Sequence, residues 1–278
     1  MVRDELRKTI EEIGTEEFKS RLFDGFKIET AAKDALITSL LCGHHILILG
    51  PPGSGKTTLA NKIASILSDI EVVEGCPLNC PPQDASCPWC ANKKAQGISL
   101  SVTKLKGKDR IKRVQGSGGL VKEDLIGDID IEIALAEGLH SPRAFMPGKL
   151  LRANRGVLLI DFIDRVPERV LNSVLYPLQG DSVTIGPLEE MLPLDILVVG
   201  TGEREMLEAV SLDLADCFDV IRLDYINNPE FQKEIVLDNL PEDGCKADTL
   251  DKVIDIVNRT RKHEEVLRGV STRGMINY

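Results

Sequence analysis

A parallel α/β fold, with helices on both faces of the sheet, is what this 278-residue sequence predicts. Three observations lead there. Short, wholly apolar runs recur at Ile46–Leu49, Val157–Ile160 and Ile196–Val199, as in strands buried on both faces. Each run passes directly into Gly or Asp, so polar groups collect along one edge of the sheet. The segments between the runs carry helical periodicity.

Residues Val2 to Phe26 read as one or two short amphipathic helices. Glu29 to Leu41 is another, with Ala31, Ala32, Ala35, Leu36 and Leu40 on its apolar face. Together they form an N-terminal unit over 1–44. His44 and His45 follow. A His pair can ligate metal, but this one stands directly before a buried strand and reads as structural.

An α/β domain over 45–225 opens with the strand Ile46–Leu49, which runs into Gly50-Pro51-Pro52-Gly53-Ser54-Gly55-Lys56-Thr57-Thr58. This matches G-x-x-x-x-G-K-[ST] at every fixed position, between a strand and a helix, the context that the motif requires. Gly53 and Gly55 let backbone N–H groups close around a polyphosphate, and the helix N-terminus adds its positive dipole end. Lys56 would reach the β- and γ-phosphates and the Thr57 hydroxyl would ligate Mg²⁺. ATP and Mg²⁺ are the expected cofactors. On the helix that follows, Leu59, Ile63, Ile66 and Leu67 share one face.

A short strand is expected around Glu71 to Glu74, followed by an insert over 76–90. There Cys76, Cys80, Cys87 and Cys90 have the spacing C-x3-C-x6-C-x2-C among prolines and polar residues. Such a segment has little with which to build a core, and a bound metal would supply its order. Four thiolates suit tetrahedral Zn²⁺. An iron–sulfur cluster uses the same four, and free or redox-paired thiols are the third reading. Cys42, Cys217 and Cys245 are scattered and read as ordinary residues.

Lys104 to Arg113 is a basic run relieved only by Asp109, read as a solvated loop with a polyanion site as the alternative. Its end, Arg110 to Gln115, has strand character. Val157–Ile160 then delivers Asp161 at the carboxyl end of a core strand, where it pairs with Thr57 through a hydrated Mg²⁺. Pro167 to Leu178 is helical, starting with Pro and Glu as a first turn should. Val183 to Pro193 alternates about Gly186-Pro187 as a hairpin. Ile196–Val199 leads into Gly200-Thr201, and Val220 to Leu223 is a further strand. Beyond it a partial helical lid occupies 226–278. Its pattern stops partway at Tyr278, as expected of a fragment.

A formal charge of −10 does not favour wholesale nucleic-acid binding. No apolar stretch approaches the ~18–20 residues of a membrane span, and the charged N-terminus lacks a signal-peptide core. A cytoplasmic location follows, where seven cysteines serve as thiols or ligands rather than disulfides.

In this order the pieces resemble the AAA+ ATPases of the magnesium-chelatase I-subunit and MoxR-like clade, over almost the whole chain. Glu123-Asp-Leu-Ile-Gly-Asp-Ile-Asp130 and Phe145-Met-Pro-Gly-Lys-Leu-Leu-Arg-Ala-Asn-Arg-Gly-Val157 carry the resemblance beyond the phosphate loop. Similar runs span an insertion in the family's second helix, and Asp181 to Leu192 would be its hairpin before sensor 1. The cysteine segment falls where the family has the loop after its second strand. The resemblance implies a homo- or hetero-oligomeric ring, and a partner carrying a von Willebrand A domain. In the chelatase itself the motor drives Mg²⁺ insertion into protoporphyrin by a separate large subunit.

Departures from the family pattern fall on hydrolysis. Walker B Asp-Glu is here Asp161-Phe162, and Phe can neither orient nor deprotonate water. Sensor 1 ends in Glu203 where the family has Asn. That charge would oppose a γ-phosphate by about 4 kcal/mol at ~4 Å and an effective dielectric near ~20, so Glu203 is expected to point away. The arginine finger is replaced in Ala215-Asp216-Cys217-Phe218, while Arg273 matches the sensor 2 arginine. The expectation is an ATP-binding subunit with weak or absent hydrolysis, acting in a ring that remodels or regulates a partner. Two alternatives stand beside it: an active chelatase-like or MoxR-like motor with Asp164 or Glu203 as substitute acids, and a metal- or redox-sensing interaction protein.

Overall fold

Five strands form one parallel sheet in the computed structural model, which describes residues 1–185, 188, 190–203, 217–239, 247–263, 265–266 and 269–276. Three helices come first: α1 (Val2–Ile13), α2 (Thr15–Leu22) and α3 (Thr30–Cys42). β1 (His45–Leu49) and α4 (Lys56–Ser65) flank the phosphate loop. Next come β2 (Ile70–Val73), α5 (Pro88–Ala95), β3 (Val102–Leu105) and β4 (Ile111–Gln115). The insertion comprises α6 (Lys122–Leu125), β5 (Gly127–Ile129), α7 (Ile131–Glu137) and β6 (Phe145–Pro147), and α8 (Lys149–Arg152) leads out of it. β7 (Gly156–Asp161), α9 (Glu168–Gly180), the hairpin β8 (Ser182–Ile185) and β9 (Glu190–Pro193), β10 (Ile196–Gly202) and β11 (Phe218–Arg222) complete the α/β part.

The sheet order is β11-β1-β10-β7-β4, parallel throughout. Every residue of β1, β7 and β10 is buried, which is why these strands read as continuous apolar runs. Alternation still sorts them. Ile46, Ile48, Val157, Leu159, Leu197 and Val199 pack with α1, α3 and α4 through Leu6, Ile10, Leu36, Leu40, Leu59 and Ile63. Leu47, Leu49, Leu158, Ile160 and Val198 face the other way, toward Leu150, Val170, Val174 and the cysteine segment. With both faces covered, one strand order brings the carboxyl ends of β1, β7 and β10 together.

The strand expected around Glu71 forms at β2 but lies outside this sheet, pairing antiparallel with β3. The edge position beside β7 goes to β4, so the cysteine segment precedes the sheet's edge strand instead of following it. The insertion takes the form of a β5–β6 pair, a hairpin not read from the sequence, and β8 pairs with β9 as the expected hairpin before β10; Gly186 and Pro187 lie outside the described residues. Helices Pro229–Asn239, Ala247–Lys262 and Thr272–Ile276 follow, with a small core of their own in Val236, Leu250, Ile254, Val257 and Met275.

Candidate nucleotide site and a four-cysteine cluster

The phosphate loop is shaped by its own sequence. Gly53 and Gly55 sit at φ 77° and 91°, where a side chain is strained, and Gly55 caps α4. Lys56 is buried and curls back, donating from Nζ to the carbonyls of Gly50 at 2.7 Å and Pro51 at 2.9 Å. Ser54 Oγ is buried with no hydrogen-bond partner among the described residues. An orphaned hydroxyl beside a buried ammonium, at a helix N-terminus, fits an anionic ligand. Tyr225 closes the back of the loop, its hydroxyl donating to Pro52 O at 3.2 Å.

Asp161 is 2% exposed at the end of β7. A carboxylate that deep requires donors, and three side chains supply them. Thr57 Oγ1 donates to it at 3.1 and 3.3 Å, Thr201 Oγ1 from the end of β10 donates to Oδ1, and Arg113 Nη2 to Oδ2. Thr57 and Asp161, the pair expected to hold Mg²⁺, are thus in contact. Arg113 was not singled out from the sequence. It belongs to the basic run read as a solvated loop; Lys104, Lys106 and Lys108 are exposed as that reading expects, while Arg110 and Arg113 depart from it. Lys104 lies in β3 and pairs with Asp69 at 3.2 Å. Arg110 is 3% exposed and holds both carboxylate oxygens of Glu5 at 2.9 and 2.8 Å. Only the alternation within Ile111–Gln115, which sets Gln115 opposite Asp161, hinted that Arg113 lies near the site.

Phe162 adopts the left-handed region, φ 55°, with its N–H donating to Thr201 Oγ1 at 3.3 Å and the Arg165 guanidinium 4.6 Å from its ring. Asp164 is exposed, its carboxylate 4.0 Å from Arg165. Glu203 is half-buried just beyond β10. Cys217, at the finger position, is half-buried beside the Gln179 amide, with Nε2 and Sγ 3.7 Å apart; Ala215 and Asp216 lie outside the described residues. Arg273 is exposed and lines, with Phe26, Gly53, Ser54, Gly55 and Thr58, a cavity of about 320 Å³. The lid reaches the loop closely enough that a Cβ on Gly53 would stand 2.5 Å from that of Ser271.

The second constellation lies between β2 and the end of α5's first turn. Cys76, Cys80, Cys87 and Cys90 are all buried and unbridged, and their sulfurs lie within 4.8 Å of one another, Cys76 and Cys87 at 3.6 Å. Hydrogen bonds from Cys80 and Cys87 hold the Cys76 thiol well below its ordinary range. The bond to Cys76 pushes Cys80 and Cys87 up, and burial pushes up Cys90. Four thiols that cannot all ionise alone form a donor set for a cation. Cys42 is exposed and Cys245 lies outside the described residues.

The His pair is structural. His45 accepts the Val198 N–H at Nδ1, 3.2 Å away, and burial lowers its pKa to about 3, so it is neutral. His44 contacts Asp219 at 3.0 Å.

A family model described as magnesium chelatase, subunit ChlI, matches residues 23–78. The magnesium-chelatase subunit ChlI homolog of Methanocaldococcus jannaschii is 38% identical over 130 residues, 47% of this chain and 33% of that protein. Subunit ChlI of Nephroselmis olivacea is 30% identical over 196 residues, 69% of this chain and 53% of its own length. The chain thus spans a third to a half of the curated relatives it matches. A solved complex of magnesium-chelatase subunits BchI and BchD superposes with TM-score 0.61 at 26% identity, covering 86% of this chain and 73% of that one.

Proposed function

This chain is related to the magnesium-chelatase I-subunit AAA+ ATPases, and from that premise we propose that it is an ATP-binding ring subunit with weak hydrolysis of its own. Bound ATP–Mg²⁺ supplies a phosphoanhydride whose charge needs several fixed cations and N–H groups. Gly50 to Thr58 would hold the phosphates, with Lys56 turning from the Gly50 and Pro51 carbonyls toward them and Ser54 Oγ gaining a partner. Thr57 and Asp161 would hold hydrated Mg²⁺ once Arg113 swings aside. Arg273 would reach the phosphates from the lid.

The observation that carries this reading is the asymmetry at one corner of the cleft. Thr57 meets Asp161 at 3.1 Å, yet the next residue is Phe162, stacked on Arg165 and unable to take a proton from water. Cys217 offers no positive charge to a neighbour's γ-phosphate; loss of an arginine finger is worth ~10³–10⁵ in rate in other phosphoryl-transfer systems. Asp164, two residues past Phe162, and Glu203, just beyond β10, are the carboxylates that a motor would have to recruit.

BchI forms a complex with BchD in the solved relative; by kinship we place this subunit in a mixed ring, acting with a von Willebrand A partner. The four-thiol cluster enters the reading as a single-metal site, with Zn²⁺ as the ion. A reducing compartment suits free thiols at such distances, so the location we propose is cytoplasmic. No helix among the described residues is long and apolar enough to cross a membrane. Mixing the purified subunit with a hydrolysing relative tests the reading: a change in assembly or turnover supports it, and neither changing overturns the mixed ring.

A further inference from the structure

The four cysteines lie apart from the phosphate loop, and their neighbours say what a metal would do there. A tetrahedral site with Zn–S bonds of ~2.3 Å has sulfur–sulfur edges of ~3.8 Å. The sulfurs here span from 3.6 Å to within 4.8 Å, so they enclose one ion after a small contraction. Bridging sulfides in an iron–sulfur cluster spread the cysteine sulfurs across several metal atoms. All four side chains are buried, which leaves no open coordination position, the arrangement of a structural ion.

The knuckle is tied on two sides. Asn79, between the first two cysteines, donates from Nδ2 to Asn154 O at 2.8 Å, and Asn154 Nδ2 donates to Leu78 O at 2.9 Å. Arg155 Nη1 donates to Asn79 O at 2.9 Å. Asn79 and Arg155 both hold positive φ, 50° and 59°, so two strained turns interlock. From the same loop, Asn154 Oδ1 accepts the Asp195 N–H at 2.7 Å, and Arg155 N–H donates to Asp195 O at 2.7 Å. Residues 153–156 launch β7, which ends in Asp161, and Asp195 launches β10, which carries Thr201. On the other side Trp89, beside Cys90, packs on Phe145 of β6 with ring centroids 6.3 Å apart. One knuckle therefore touches the root of β7 directly, reaches that of β10 through Asn154 and Arg155, and touches the insertion hairpin as well.

Resting on the metal reading above, we infer that Zn²⁺ held by Cys76, Cys80, Cys87 and Cys90 is a strut that fixes the 153–156 loop and the insertion hairpin. It sets the position of Asp161 from the opposite end of its strand without touching nucleotide. No redox step is involved.

The experiment uses the full chain purified anaerobically. Metal analysis should give one zinc per chain, with neither iron nor acid-labile sulfide. Co²⁺ in its place should show the visible bands of tetrahedral thiolate coordination and quench Trp89, the sole tryptophan. Removing zinc should raise hydrogen exchange at 153–160 and 145–147 by at least ~10-fold, with α4 little changed. Asn79→Gly keeps the left-handed turn and deletes the amide. It should retain the zinc and the Trp89 signal while 153–156 loosens. Absence of metal, or iron with sulfide, overturns the zinc reading. One zinc per chain with unchanged exchange at 153–160 after its removal overturns the strut and leaves the site standing.

Discussion

The two walls of the cleft are built from the same sheet edge and differ in what became of them. On the binding wall, the loop after β1 has every fixed residue of its motif, a buried Lys56 and a Ser54 hydroxyl with no partner among the described residues. On the hydrolytic wall, β7 passes into Phe162, β10 into Glu203, and Cys217 precedes β11. The difference shows how separable the two tasks are. Phosphate binding is local, made by backbone N–H groups and a lysine within nine residues, and its glycines are also what the turn needs. Hydrolysis draws single side chains from distant strand ends, and each can change without unsettling the sheet. Phe162 keeps a place through the Thr201 hydroxyl and the Arg165 guanidinium, so the strand end stays ordered.

The comparison breaks most readily at Lys56. Lys56→Ala should weaken ATP binding by ~100-fold, about 2.7 kcal/mol, in a fluorescent-nucleotide titration, while the fold survives by circular dichroism. If affinity is unchanged, the binding wall is not where we place it. Next in size is Asp161→Asn, which should lose ~10-fold or more in affinity for ATP with Mg²⁺ and much less for ATP in a chelator. Equal losses in both conditions would remove Asp161 from the metal corner.

Arg113→Ala sharpens the corner itself. The guanidinium occupies an Asp161 oxygen, so its removal should lower the Mg²⁺ needed for half-maximal ATP binding by ~3–10-fold. A rise would make Arg113 a phosphate contact instead of a competitor. The remaining effect is on stability, away from the cleft. His45 has its folded pKa lowered to about 3 from 6.5, so the unfolded chain binds the extra proton between those values. Stability therefore rises with pH through that window and is lost as pH falls from 6.5 toward 3, by at most ~1.4 kcal/mol per pH unit. His45→Asn, which can still accept the Val198 N–H, should flatten the change in unfolding midpoint between pH 7 and 5; an unchanged slope would assign it to carboxylates.

Much of this was legible in the sequence because it is contiguous. The β1–loop–α4 unit, the Asp161 strand, the hairpin before β10 and the cysteine spacing each fit within a short window. The strand pairings were less so: Ile-Glu-Val-Val and Ile-Lys-Arg-Val-Gln have similar patterns, and only long-range partners send the first to β3 and the second to the sheet edge. The Arg110–Glu5 pair bridges 105 positions, and Asn79 meets Asn154 across 75. Nothing local marks a charge that will be buried by a distant one, which is why the basic run misled. The cysteine spacing announced a cluster able to hold a metal; its mooring to the root of the Asp161 strand needed the fold.

The account is tested most directly by steady-state ATP turnover measured beside equilibrium ATP–Mg²⁺ binding, for this chain and for Phe162→Glu. Tight binding with turnover below ~0.1 s⁻¹ is expected of the parent, with at most a partial rise in Phe162→Glu because Glu203 and Cys217 remain. Parent turnover of ~1–10 s⁻¹, an ordinary enzymatic rate, would contradict it and turn attention to Asp164 and Glu203 as working acids.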